Sequence, residues 1–184
     1  MRLRRGEFLS LTGLNTSRFN TVAQRNQLPF DHLRGAPDMA EDDAVATQHE
    51  GRGWRWFRPM HALLWLLAER MTAEGGVTLD LASRAISNCA GSVEGEIARA
   101  SAAVREGGSR VYAGIAQRVP GPGAGHFVGT LAEIDAALRK DIEQCRTDET
   151  FNRIIFVDLS GAIEDLRTKA KAAGISLPDD AQEW

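Results

Sequence analysis

The sequence predicts a mainly α N-terminal half built on a helix-turn-helix, followed by a small α/β (α+β) C-terminal module. Between Arg5 and about Asn88, apolar residues recur at helical spacing and are interrupted by glycine and proline where turns are expected. From Arg110 onward the pattern changes, and short apolar runs flank a Pro/Gly turn before amphipathic segments resume. Two glycine pairs, Gly75-Gly76 and Gly107-Gly108, punctuate the chain. The second pair marks the expected boundary, with a binding domain over 1–90, a helical linker over 91–109 and the C-terminal module over 110–184.

Arg5 to Leu11 reads as a short helix, Thr12-Gly13-Leu14-Asn15 interrupts it, and Thr16 to Arg25 reads as a second helix. Gly13 provides the backbone freedom that a tight inter-helix turn needs, and Asn15 or Thr16 can cap the second helix by accepting a bond from a free amide. Asn26 tolerates the left-handed conformation of a helix end, and Pro29 prevents continuation. Phe8, Leu11, Leu14, Phe19, Val22 and Leu28 are expected to form a shared apolar core. Ser17, Arg18, Asn20, Thr21, Gln24 and Arg25 then face outward.

Phe30 to Gly53 is polar and carries the acidic run Glu41-Asp42-Asp43, as expected of a long mobile loop. Trp54-Arg55-Trp56-Phe57-Arg58-Pro59 reads as the returning strand of a hairpin, with Trp54 and Trp56 expected in the core or as hairpin staples. Pro59 opens a helix to about Glu74, with Met60, Leu63, Leu64, Leu67 and Met71 on one broad face. Thr78 caps another through about Asn88, burying Leu79, Ala82 and Ile86. Gly91 to Gly108 is alanine-rich and partly helical.

In the last block, Arg110 to Ala116 and His126 to Gly129 read as strands around Pro120-Gly121-Pro122-Gly123-Ala124-Gly125. Leu131, Ile134, Leu138 and Ile142 mark an amphipathic helix. Ile154 to Val157 reads as a buried strand, and Ile163, Leu166 and Ala170 mark a final helix. Asp158 is expected to act as a strand-end cap or turn residue.

The 184 residues are long enough to bury a core, and 43% are hydrophobic. Cys89 and Cys145 lie far apart, without metal-ligand spacing, so neither a disulfide framework nor a zinc site is expected. The basic start, Met1 to Arg5, is not followed by a long apolar stretch, and Leu63 to Ala68 is too short to span a bilayer. A cytoplasmic, nucleoid-associated protein with no membrane role is expected. His32, His49, His61 and His126 are scattered, and the chain lacks a P-loop, a GxSxG elbow, an HExxH helix and a dinucleotide-binding glycine turn. No enzymatic activity, cofactor or metal is therefore expected.

The formal net charge of -3 conceals an asymmetry. From Met1 to Arg34, six arginines face only Glu7 and Asp31, a local excess of four positive charges. Phosphates respond to the face they meet rather than to the charge of the whole chain.

Gly6-Glu7-Phe8-Leu9-Ser10-Leu11-Thr12-Gly13-Leu14 resembles the first helix and turn of MerR-type regulators. Thr12 to Pro29 matches the length of the family's following segment, with Leu28-Pro29 in register. Arg55-Trp56-Phe57 is similar to the family's Arg-x-Tyr in the wing, and Gly75-Gly76-Val77-Thr78-Leu79 to its Gly-Phe-Ser-Leu turn. The resemblance covers Arg5 to about Asn88 and implies a winged helix-turn-helix that binds double-stranded DNA, with its recognition helix at 16–25 and a wing around 30–58. Where the family has Arg-Tyr-Tyr-Glu, this chain has Asn20-Thr21-Val22-Ala23, and the family's long dimerisation helix and sensor cysteines have no counterpart.

On this reading Arg18 and Gln24 are the candidates for base edges, because a guanidinium suits guanine and an amide suits adenine. Ser17, Thr21 and Arg25 suit phosphates, Asn20 suits either, and Thr16, at the start of the helix, is a further DNA-binding candidate. Arg55 and Arg58 flank the wing aromatics, while Arg2, Arg4 and Arg5 form a salt-sensitive basic arm. A homodimeric transcription regulator is the leading expectation, its C-terminal module dimerising or meeting a protein partner. The alternatives are a phage-type DNA adaptor, similar to an excisionase or a terminase small subunit, and a protein-interaction module that has lost DNA binding.

Overall fold

The structure is a computed structural model of the chain and describes residues 1–30, 56–119, 124–144, 150–179 and 183–184. The helices are α1 (Arg5–Thr12), α2 (Thr16–Gln24), α3 (Pro59–Gly75), α4 (Leu79–Asn88), α5 (Ala90–Glu106), α6 (Leu131–Gln144) and α7 (Leu159–Ala172). The strands β1 (Val111–Val119), β2 (Ala124–Thr130) and β3 (Thr150–Asp158) form an antiparallel sheet in the order β2-β1-β3. The class is α+β, with helices dominating.

The helix ends follow from local chemistry. Gly13, at φ 70°, closes α1 in the left-handed conformation, where a side chain would be strained. Asn15 caps α2 by accepting from the Arg18 amide at 2.8 Å, and Asn26 adopts φ 52° just beyond its end. Thr78 caps α4 through the Leu81 amide, and Asp158 caps α7 through the Gly161 amide at 2.8 Å. Pro59 sits at the start of α3, where its missing amide would have had no helical partner.

Helix α3 lies at the centre. Met60, Met71 and every residue from Ala62 to Ala68 are buried, so the helix is covered on nearly all sides rather than along the single face the spacing predicted. It contacts α1, α4, α7 and β3. The apolar core is continuous from Leu3 through α3 to β1, α7 and Trp184, and it crosses the Gly107-Gly108 turn.

Within the sheet, Val111, Ala113 and Ile115 of β1 align with Val157 and Ile155 of β3 and point to the helical side. On the opposite face Gly114 pairs with Phe127 on one side and Phe156 on the other. A Cβ at Gly114 would stand 2.2 Å from the Ile155 carbonyl oxygen and 2.4 Å from a ring carbon of Phe156. Glycine is therefore required to let the aromatic ring lie over the central strand.

Several expectations are corrected. Phe57 forms an isolated antiparallel bridge with Leu3, with N–O distances of 2.7 and 2.9 Å, a pairing not expected from the sequence, while the other strand of the expected hairpin lies outside the described residues. Trp56 is 39% exposed and so is not a core residue, while the hairpin it was expected to staple lies largely outside the described residues. The expected loop, Trp54 and Arg55 lie outside the described residues. On α6 only Ile134 is buried, while Leu131 and Ile142 are exposed.

Replacing Gly114 with alanine should lower stability by about 1–3 kcal/mol, the usual range for forcing atoms into a packed site. Urea denaturation of the two proteins measures the difference, and an unchanged midpoint would contradict the close approach of Phe156.

Candidate nucleic-acid interface

The anchored side of α2 is aromatic. Phe19 and Val22 are buried, and the Phe19 ring meets Phe8 and Phe57 edge-on, with centroids 5.9 and 5.8 Å away. Phe8 stacks on Phe57 at 4.2 Å, and Phe30 stacks on His61 at 4.5 Å. These rings join α1, α2, the Leu3–Phe57 bridge and the first turn of α3 into one unit. Edge-on and offset contacts of this kind suit the aromatic quadrupole and hold orientation as well as area. Beyond α2, the buried Ser83 hydroxyl of α4 donates to the Gln27 carbonyl at 2.6 Å and fixes the exit of the chain.

The opposite side of α2 is polar and exposed: Thr16, Ser17, Arg18, Asn20, Thr21, Gln24 and Arg25 all face solvent. Their partners differ. Arg18 pairs with Glu69 on α3 at 3.1 Å, and its guanidinium lies 6.0 Å from the Trp65 ring. The Asn20 side-chain oxygen accepts from Arg5 at 2.7 Å, while the Arg5 guanidinium also lies over Phe19 at 4.9 Å. Thr21 donates to the Ser17 carbonyl at 3.1 Å. Gln24 and Arg25 have no side-chain partner among the described residues.

The structure therefore brings the α2 residues together with Arg5, while Arg4 stands exposed just before α1. Arg58 is engaged elsewhere. Its guanidinium donates to the Trp184 carbonyl oxygen at 2.6 Å and lies 3.5 Å from Glu94 of α5. Arg55 lies outside the described residues. Glu69 and Trp65 were not among the sequence candidates, because nothing local in the chain connects them to Arg18.

At the base of this unit, the Arg58 amide donates to His61 Nδ1 at 3.3 Å. Burial, and secondarily the positive charge of Arg58, pull the His61 pKa down to about 4. The imidazole is thus neutral and acts as an acceptor at the start of α3.

No family model matches this chain, and no curated protein matches it either. Among the described residues, no helix is long and apolar enough to cross a membrane.

Because the folded pKa of His61 lies below its ordinary value of 6.5, stability is fully present above about pH 6.5. It should decline as the pH falls towards about 4, since only the unfolded chain takes up the proton in that window. A denaturation series across this range in the wild type and in His61→Gln tests the assignment. The variant should show a shallower slope, and two parallel curves would exclude a contribution from His61.

Proposed function

We propose that this chain binds double-stranded DNA sequence-specifically, as a transcription regulator with a MerR-like winged helix-turn-helix whose recognition helix is α2. The observation that carries the reading is the division of α2: Phe19 and Val22 lock one side into an aromatic core, while seven neighbouring polar residues stand on the other. A rigidly held helix with an outward set of guanidinium, amide and hydroxyl groups suits the major groove, where each base pair presents a distinct pattern of donors and acceptors.

Gln24 and Arg18 suit base edges. Arg18 has to leave Glu69 to do so, but their side chains are 53% and 33% exposed, and an ion pair of this kind is worth only about 0.2–1 kcal/mol. A bidentate contact to guanine contributes about 1–3 kcal/mol of discrimination, so the exchange favours DNA. Thr16, Ser17, Thr21, Arg25 and Arg4 suit phosphates. Arg5 is a positioning residue, because it holds Asn20 and packs on Phe19. One short recognition helix seldom supplies enough affinity alone, so the active species is a homodimer on paired half-sites.

The test is retention and sequencing of random-sequence duplex DNA on the purified protein at low and moderate salt. A motif should be enriched in the wild type and lost in the Arg18→Ala/Gln24→Ala variant. Arg25→Ala should weaken binding to all sequences similarly and reduce the salt slope by about one. An absence of retention even at low salt would sink the DNA reading and favour a protein-interaction module.

A further inference from the structure

We propose that the outer face of α6 is the surface on which two copies of this chain pair, their α6 helices antiparallel across a two-fold axis. The choice of a second copy rests partly on the reading above, since paired half-sites call for a symmetric dimer. It rests independently on the residues of α6 itself.

Among the described residues, five large apolar side chains are exposed, and two of them lie on α6, Leu131 at 55% and Ile142 at 56%, with Leu138 half-buried between them. Leu131, Asp135, Leu138 and Ile142 follow one another at steps of four, three and four residues, so they share one side of the helix. That side is kept outward by two anchors on the neighbouring flank. Ile134 is buried at 2% exposure, and Asp141 is held by an ion pair to Arg118 of β1. Ile154 stands on the sheet face against which α6 packs. It pairs with Ala116, which pairs with Gly125, and a Cβ at Gly125 would stand 3.4 Å from the Asp141 carboxylate of α6.

The single charge in this stripe, Asp135, sets the orientation. Parallel self-pairing would place Asp135 against its own copy, which is repulsive. In the antiparallel arrangement Leu131 meets Ile142 of the other copy, and Asp135 meets Leu138, next to the oppositely charged Arg139. Asp135 and Arg139 already pair within one helix at 2.8 Å and are 61% and 74% exposed, so two such pairs can merge across the axis. The contact is self-complementary, as a two-fold interface must be.

Sedimentation of the full chain across micromolar concentrations tests the proposal. The wild type should be a dimer. Leu131→Glu/Ile142→Glu should be a monomer with an unchanged circular dichroism spectrum, because both side chains are exposed within one copy, and its melting temperature, unlike that of the wild type, should not rise with protein concentration. Asp135→Arg and Arg139→Asp should each weaken self-association, and their mixture should regain a heterodimer, because each variant then offers the charge the other lacks. A monomeric wild type, a dimer that survives the double apolar substitution, or a mixture that stays monomeric would overturn the proposal. A monomer that still retains DNA overturns pairing through α6 and leaves DNA binding by α2 standing without the homodimer. A dimer dispersed by the double substitution but unable to retain DNA supports the pairing and removes the DNA reading.

Discussion

Burial of α3 is the constraint on which the other elements depend. Its run of Leu63, Leu64, Trp65, Leu66 and Leu67 is buried without a break, with exposures of 5% or less. Each such side chain contributes about 1.5–3 kcal/mol when fully removed from water. A helix apolar on nearly all sides needs cover on nearly all sides, and α1, α4, α7 and β3 provide it. Trp65 shows how strongly area dominates here, since its indole N–H is buried with no hydrogen-bond partner among the described residues. Leaving that donor unmet costs about 1–3 kcal/mol. Burying roughly 200 Å² of aromatic surface at about 25 cal/mol per Å² offsets it.

From this helix the architecture extends to the surface through the aromatic cluster of Phe8, Phe19, Phe30, Phe57 and His61. The cluster sets the direction of α2, and so determines which of its residues meet solvent. Electrostatic ties then hold parts of that polar face: Glu69 holds Arg18, and Arg5 holds Asn20. Both ties are solvent-accessible and cheap to exchange, whereas the ring contacts beneath them are not. A surface whose backbone is rigid while its charged side chains can change partner suits a ligand made of phosphates and base edges.

The C-terminal elements are joined to the same frame by apolar and ionic contacts. Arg70 of α3 pairs with Asp165 of α7 at 2.5 Å and donates to the Asp158 carbonyl oxygen at 3.3 Å. Arg99 of α5 grips Glu133 of α6 with two bonds at 2.6 and 2.8 Å. That contact, with Thr130, holds the Glu133 carboxyl down at about 2. It also fixes the start of α6 and hence the direction of the helix's outer stripe. Trp184 is buried against this frame, its indole donating to the Pro178 carbonyl oxygen at 3.0 Å and its own carbonyl oxygen accepting from Arg58.

The sequence by itself determined the local features. Gly13, Asn15, Asn26, Pro29 and Pro59 announce where α1, α2 and α3 start and stop, and the spacing of Phe19 and Val22 shows which side of α2 turns outward. Asp158 was legible as a cap. Tertiary structure alone decided that Leu3 pairs with Phe57, that Trp56 lies at the surface and that Arg58 reaches Trp184 instead of standing free beside α2. It also decided that Arg18 meets Glu69 and that Leu131 and Ile142 of α6 face solvent. Caps and periodicity act over a few residues and leave a mark in the chain. The partner of an arginine or the cover of an apolar stripe depends on which elements the burial of α3 draws together, and no local pattern encodes that.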